Sequence, residues 1–253
     1  MSSIQVFNSV VEFQQFRKKL NGTVGFVPTM GALHQGHASL MKKATSENDQ
    51  SVLSIYVNPT QFNNPTDLEK YPKTFEADLK LAAECGVCSV ISPNYSEIYE
   101  DNYRYKLTES EFSKMLCGTN RPGHFDGVLT IVMKLFHIVQ PNKAYFGEKD
   151  FQQLKLIEDM VKSFFMPVEI IHCKTLREES GLAMSSRNKR LTPEGLIKAA
   201  MIHKSITSKN TVADIKDLLI KNNFKIDYLE DIDGRRFIAA ILEDVRLIDN
   251  VKI

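Results

Sequence analysis

The sequence predicts an α/β fold, a parallel sheet covered on both faces by helices, with a smaller α+β unit after it. Three observations carry this. Short apolar runs alternate with segments of helical period, the strongest helical stripe recurs at i, i+3, i+4 and i+7, and the grammar changes after Lys174. The runs 23–28, 51–57, 87–91, 143–146 and 168–172 read as buried strands. Val128, Ile131, Val132, Leu135, Phe136 and Val139 form the clearest helical face, and Leu154, Ile157, Val161 and Phe164 form another. Cys85 and Gly86 read as a helix end running into a strand. Beyond Lys174 come a polar, arginine-rich loop and a helix starting at Thr192 and Pro193. A helix from Thr211 to Leu219 and extended segments at 225–230 and 236–242 follow. The expected division is residues 1–174 and 175–253. In a parallel sheet of this kind ligands bind at the carboxyl ends of the strands, so the loops after each strand are where chemistry belongs.

Composition removes whole classes of function. At 253 residues and 43% hydrophobic content the chain fills a proper core, which excludes a disordered or fibrous protein. Thirty-two Lys and Arg against 31 Asp and Glu leave a net +1, without the field that drives binding to a phosphate backbone, so no nucleic-acid partner is expected. The first residues lack a basic start and an apolar leader segment, and the most apolar stretch, 128–139, carries Lys134 and His137. The expectation is a soluble cytoplasmic protein with no membrane partner. Cys85 and Cys88 have CxxC spacing, but Cys117 and Cys173 make no second pair, so all four read as buried structural thiols.

Four loops carry residues suited to chemistry. The first strand empties into PTMGALHQGH, residues 28–37, where His34 and His37 bracket Gln35 and Gly36 at a helix N-terminus. Free N–H groups there favour anions, and two imidazoles suit a developing pentacoordinate phosphate; ordinary capping histidines are the bland alternative. The second strand ends in NPTQF, residues 58–62, with Tyr71 beyond, so the neutral amides of Asn58 and Gln61 stand where a hydroxy acid would bind, or merely form a turn. Arg121 and His124, ahead of the strongest helix, suit an anion, while Asp126 and Gly127 suit a helix start. Next comes FGEKDFQQ, residues 146–153, where Lys149 suits a phosphate, Asp150 a ribose diol and Gln153 a hydroxyl or carboxylate; Asp150 and Gln153 also fit a helix cap with its reciprocal partner. Last, MSSRN at 184–188 offers two hydroxyls and a cation for a leaving pyrophosphate, whereas Arg177 and Arg190 read as surface charges.

Taken in order, these motifs closely resemble the pantothenate synthetase (pantoate–β-alanine ligase) family, from about Val6 to the terminal RLIDN at 246–250. HxGH alone would indicate only the wider nucleotidyltransferase superfamily. The resemblance implies a Rossmann-like parallel sheet with an α+β C-terminal lid, usually a homodimer, using ATP and magnesium to join pantoate to β-alanine through a pantoyl adenylate. It places Met30, Gly31, Ala32, Leu33, His34, Gln35, Gly36 and His37 against ATP, with His37 the catalytic proton donor. Gly147, Glu148, Lys149 and Asp150, then Leu176 and Met184, Ser185, Ser186 and Arg187, also border ATP. His34, Lys149, Ser185, Ser186 and Arg187 would share the catalytic work. Gln61 and Gln153 would hold pantoate, and Gln61 with Tyr71 would line the β-alanine path; the residues that ligate magnesium are not identified by it. Some family members carry an acidic residue where this chain has Cys117, and the tail after Met201 is short for the family. Two other readings share parts of the pattern: a nucleotidylyltransferase of the same superfamily, which does not need the paired glutamines, and a non-catalytic nucleotide-binding module.

Overall fold

Six parallel strands form the larger sheet, in the order β1 (Gln5–Phe7), β4 (Ser89–Ile91), β3 (Gln50–Ile55), β2 (Val24–Thr29), β5 (Lys143–Gly147) and β6 (Glu169–Cys173), in a computed structural model that describes residues 4–253. The reading of the first three residues falls outside that range. The five expected strands are all present. β1 is the sixth, unread because it is a three-residue edge strand with Gln5 and Val6 exposed, too short to show a period. Between the strands run α1 (Val10–Arg17), α2 (Gln35–Glu47), α3 (Pro65–Glu69), α4 (Phe75–Glu84), α5 (Tyr95–Ile98), α6 (His124–Val139) and α7 (Phe151–Ser163). The order reverses between β2 and β5, the switch point where parallel sheets bind ligands. Those two strands are joined only at Gly25↔Lys143 and Phe26↔Ala144, whereas β2 and β3 pair along their whole length. Pro28 is tolerated in a central strand because the β5 pairing has already stopped.

Local chemistry sets the helix ends. Gly86, at φ +79°, terminates α4 with Gly86 N–H donating to Ala83 O and Val87 N–H to Ala82 O, both at 3.0 Å, and the chain enters β4 as expected. α6 buries all six residues of its expected stripe, together with Leu129 and Ile138. Phe164 does not belong to the face assigned to α7: the helix ends at Ser163 and Phe164 is 54% exposed, so Leu156 and Met160 complete the buried side. The core of this sheet contains Val27, Met41, Leu53, Val90 and Tyr145. All four cysteines are free thiols, and Cys88, against expectation, is exposed.

The chain divides into two compact units. One comprises the chain through Leu33, His37–Gly147 and Gln152–Cys173; the other comprises His34–Gly36, Glu148–Phe151 and Lys174–Ile253. The second contains α8 (Pro193–Ala199), α9 (Met201–Ile206), α10 (Val212–Lys221) and an antiparallel sheet of β7 (Lys225–Ile232), β8 (Arg235–Leu242) and β9 (Val245–Lys252). Thr192 caps α8 through Gly195 N–H, and Thr211 with Asp214 forms a reciprocal capping box on α10. Asp233 and Gly234, both at positive φ, make the tight turn into β8. Ile202, Ile215, Leu219, Phe224, Ile238 and Leu247 form a separate core. The expected pattern of helix, strand, strand lacked β9, whose buried Asp249 and Asn250 break the apolar alternation that marks a strand. Among the described residues no helix is long and apolar enough to cross a membrane.

Candidate active site

Beyond β3, Pro59 opens a 3-10 turn over Pro59–Gln61, and a buried network fixes it. Asn58, 1% exposed, donates through Nδ2 to Gln61 Oε1 and Gly127 O, each at 3.1 Å, and its Oδ1 accepts from Tyr99 at 2.9 Å and Thr60 at 3.0 Å. That amide is spent on the frame, so Asn58 is structural and not the ligand contact its position suggested. The Gln61 carbonyl lies 2.8 Å from His124 Nδ1 and accepts from Arg121 Nη2 at 3.4 Å, while Arg121 Nη1 lies 2.9 Å from His124 Nε2. A carbonyl only accepts and a guanidinium only donates, which makes His124 a neutral imidazole protonated on Nδ1. Arg121 and His124, expected to face an anion, therefore grip the Gln61 turn. Gln61 Nε2 points at Met30 Sδ, 3.2 Å away, a weak acceptor that a carboxylate or hydroxyl oxygen outcompetes. Tyr71 donates to Gly31 O at 3.4 Å and packs edge-on against Phe62, so Met30, Gly31, Gln61 and Tyr71 converge.

Gln153 is half-buried in α7 of the same unit. Its neighbour Gln152 is buried and structural, accepting from Cys117 N–H at 3.1 Å and donating to Phe112 O and Met115 O at 2.8 Å. Asp78 was missed by sequence reasoning. It is 3% exposed and accepts from Ala32 N–H at 3.0 Å, Leu33 N–H at 2.8 Å and Thr74 at 3.1 Å. These bonds hold the loop in which Gly31 and Ala32 take positive φ, +78° and +51°. An acid in the first turn of α4 gives no hint of this, because helix starts favour acids anyway.

α2 begins at Gln35, so the two histidines do bracket its first turn. His34 Nδ1 accepts from Gly36 N–H at 3.1 Å, which leaves the ring proton on Nε2. Burial, reinforced by the charges of Lys149 and Lys189 against that of Asp150, holds His34 below its ordinary 6.5. It is therefore both a capping histidine and, at neutral pH, an uncharged donor. A side chain at Gly36 would meet the His34 ring at 2.8 Å. His37 is half-buried and Gln35 exposed.

In the second unit the 3-10 turn Glu148–Asp150 runs directly into α7, so helical geometry starts before the cap expected at Asp150. Lys149 Nζ lies 3.7 Å from Asp150 Oδ1. Lys149, Ser185 and Arg187, read on two different loops as phosphate-binding residues, line one pocket with Asn188 and Asp249. Ser185 Oγ accepts from Arg187 N–H at 3.2 Å and caps the turn Ser186–Arg190. Met184 N–H donates to Leu176 O at 3.0 Å and Glu178 N–H to Leu182 O at 2.9 Å, so 176–184 is a narrow hairpin. Arg177, expected to be a surface charge, instead makes a two-pronged pair with Asp249 at 2.7 and 2.9 Å and donates to Gly181 O at 3.1 Å. Arg190 is exposed, as read. Among the described residues no three His, Cys, Asp or Glu side chains converge as metal ligands.

A parallel sheet with a switch point in one unit, and in the other a pocket lined by Lys149, Arg187 and the Ser185 hydroxyl, are features of α/β proteins that bind small anionic ligands. A family model described as pantoate-beta-alanine ligase matches residues 5–252, and the chain belongs to that family, whose enzymes ligate pantoate to β-alanine. It is 59% identical to the pantothenate synthetase of Bdellovibrio bacteriovorus, over 98% of this chain and 99% of that one, and 50% identical to that of Legionella pneumophila over the same shares. Among solved structures it matches the Francisella tularensis pantoate-beta-alanine ligase complexed with beta-gamma ATP and beta-alanine at TM-score 0.93, 40% identity and 98% and 97% coverage. The pantothenate synthetase of Thermus thermophilus matches at TM-score 0.90, 36% identity and 98% and 99% coverage. The tail read as short for the family thus has the length of these relatives. Family membership sets aside the nucleotidylyltransferase and binding-module readings.

Proposed function

We propose that the ligase works in two steps with ATP as the activating substrate. A pantoate carboxylate oxygen attacks the α-phosphorus, the bond to the β-phosphate oxygen breaks, and pyrophosphate leaves. The neutral amine of β-alanine then attacks the acyl carbon of pantoyl adenylate; the bond to AMP breaks, the nitrogen loses a proton, and pantothenate is released.

One observation carries the assignment of the acid. Gln61 has its carbonyl gripped by His124 and Arg121 and its Oε1 by Asn58, while Nε2 faces a thioether. A rigid donor with a poor partner is what an incoming carboxylate or hydroxyl needs. Gln153 is its partner in this reading, and Tyr71 borders the β-alanine path. His34 donates as a neutral imidazole, His37 supplies the proton donor in the first turn of α2, and Lys149 with Ser185, Ser186 and Arg187 takes the charge that builds on the leaving pyrophosphate. Magnesium fits as a cation that arrives on the triphosphate, since such ions keep phosphate and water ligands and need few carboxylates. Residues 1–174 as the nucleotide and pantoate body, 175–253 as a lid, a homodimer and a cytoplasmic location complete the proposal, supported by the resemblance to the family.

The test is isotope exchange. With magnesium and pantoate but no β-alanine, the enzyme exchanges labelled pyrophosphate into ATP, and His37→Ala lowers that exchange about a hundredfold by removing one transition-state donor. Folded enzyme that binds ATP yet shows no pantoate-dependent exchange would sink the two-step reading.

A further inference from the structure

The terminal RLIDN segment is used by none of the steps above, yet it forms β9 and buries two polar residues, Asp249 at 4% exposure and Asn250 at 5%. Buried polar groups of this kind persist where their hydrogen bonds are specific. Asn250 Nδ2 donates to Glu148 O at 2.9 Å and to Lys149 O at 3.0 Å, so one amide holds the backbone on either side of the Lys149 peptide. Its Oδ1 accepts from Arg235 Nη1 at 2.5 Å, and that guanidinium stacks 3.6 Å above the Phe151 ring. Asn250 is thereby tied to both ends of the segment Glu148–Phe151. Asp249, the preceding residue, accepts the two-pronged pair from Arg177 at the root of the hairpin that leads into Met184, Ser185 and Arg187. The Asn250 backbone N–H also donates to Asp249 Oδ1 at 2.8 Å, fixing the Asp249 side chain against the backbone that carries Asn250.

We infer that Asn250 is the positioning residue of the phosphate pocket: it sets the Lys149 turn, while Asp249 sets the hairpin that ends in Ser185 and Arg187, so that two adjacent residues of one strand fix both walls. Neither side chain needs to touch the nucleotide. The inference rests on the reading that this pocket takes the β- and γ-phosphates.

Asn250→Asp is the decisive variant, because it keeps the size and the acceptor for Arg235 while turning the doubly donating nitrogen into an oxygen that faces two carbonyls. ATP binding is expected to weaken about tenfold or more, and pantoate-dependent pyrophosphate exchange to fall about 10- to 100-fold, the usual consequence of moving a catalytic group by about an ångström. AMP, which lacks the β- and γ-phosphates, keeps its affinity, and so does the conversion of supplied pantoyl adenylate and β-alanine to pantothenate. Arg235→Met keeps the aliphatic stem over Phe151 but releases Asn250 Oδ1, and gives the same selective pattern at smaller amplitude; it carries the test if Asn250→Asp does not fold. Equal loss for ATP and AMP, or in both half-reactions, shows a merely structural role and overturns the inference. Unchanged exchange in both variants overturns it as well. Absence of exchange in the unmodified enzyme is a different result, because it removes the two-step reading itself.

Discussion

Replacing Gln61 by Ala removes a donor whose setting is otherwise fixed by Asn58, His124 and Arg121. In the proposed reading the loss falls on the hydroxy acid. Pantoate use in the exchange reaction should weaken by about 1 to 3 kcal/mol, the cost of leaving a bound polar group unpaired, while the dissociation constant for ATP stays put. The reverse pattern would reassign the pocket. His34 makes a second prediction at this scale: its Nδ1 accepts from Gly36 and its pKa is lowered first by burial, so nitrogen NMR should report the Nε2–H tautomer and a titration below 6.5. Observation of the Nδ1–H tautomer would remove it as the neutral donor. Both residues stood out as candidates in the sequence because each sits a few positions beyond an apolar strand. Asp78, Arg177 and Asn250 were not, since their work lies in contacts with residues 46, 72 and 101 or 102 positions away.

At the scale of elements, α6 adds to its buried apolar stripe one glycine that faces the Gln61 turn. A Cβ at Gly127 would stand 2.6 Å from Thr60 O and 2.7 Å from Gln61 N, both backbone atoms that cannot rotate away. Gly127→Ala should therefore destabilise the fold by about 1 to 3 kcal/mol through overpacking and raise the KM for pantoate as the turn shifts. Chemical denaturation with parallel kinetics checks both, and an unchanged pantoate KM would detach α6 from the recognition of the acid. The stripe of α6 and the strands of the parallel sheet were readable because periodic burial repeats a signal over many residues. β1 was too short for a period, and in β9 the buried Asp249 and Asn250 interrupt one; the polar pair that hides the strand is the pair assigned to the phosphate pocket.

For the whole molecule, several carboxylates are held below their ordinary range by hydrogen bonds: Asp49 by Thr23, Asp231 by Arg236, and Asp249, where burial pushes upward but His203 and Arg177 outweigh it. A carboxylate lowered in the native state stabilises the fold fully above its unfolded value, 3.8 for Asp, and that contribution is lost as pH falls through the lowered value. His34 acts in the same direction, its contribution complete above 6.5 and lost below as the buried ring is forced to charge. Stability followed by circular dichroism should thus decline gently below 6.5 and steeply below about 4, and Asp249→Asn should flatten the acid limb. An acid limb identical in the variant would leave Asp249 without an electrostatic role in folding.

The second unit takes in two short segments, His34–Gly36 and Glu148–Phe151, that leave the sheet after β2 and β5. Reading along the polypeptide, membership changes five times, after Leu33, Gly36, Gly147, Phe151 and Cys173. Such a chain cannot be cut into its parts. A gene truncated after Cys173 would leave His34 and Lys149 without the neighbours they cluster with, and a gene for the tail alone would lack the residues those neighbours hold. Neither unit is therefore one continuous stretch of the polypeptide, and no single cut in the sequence separates them.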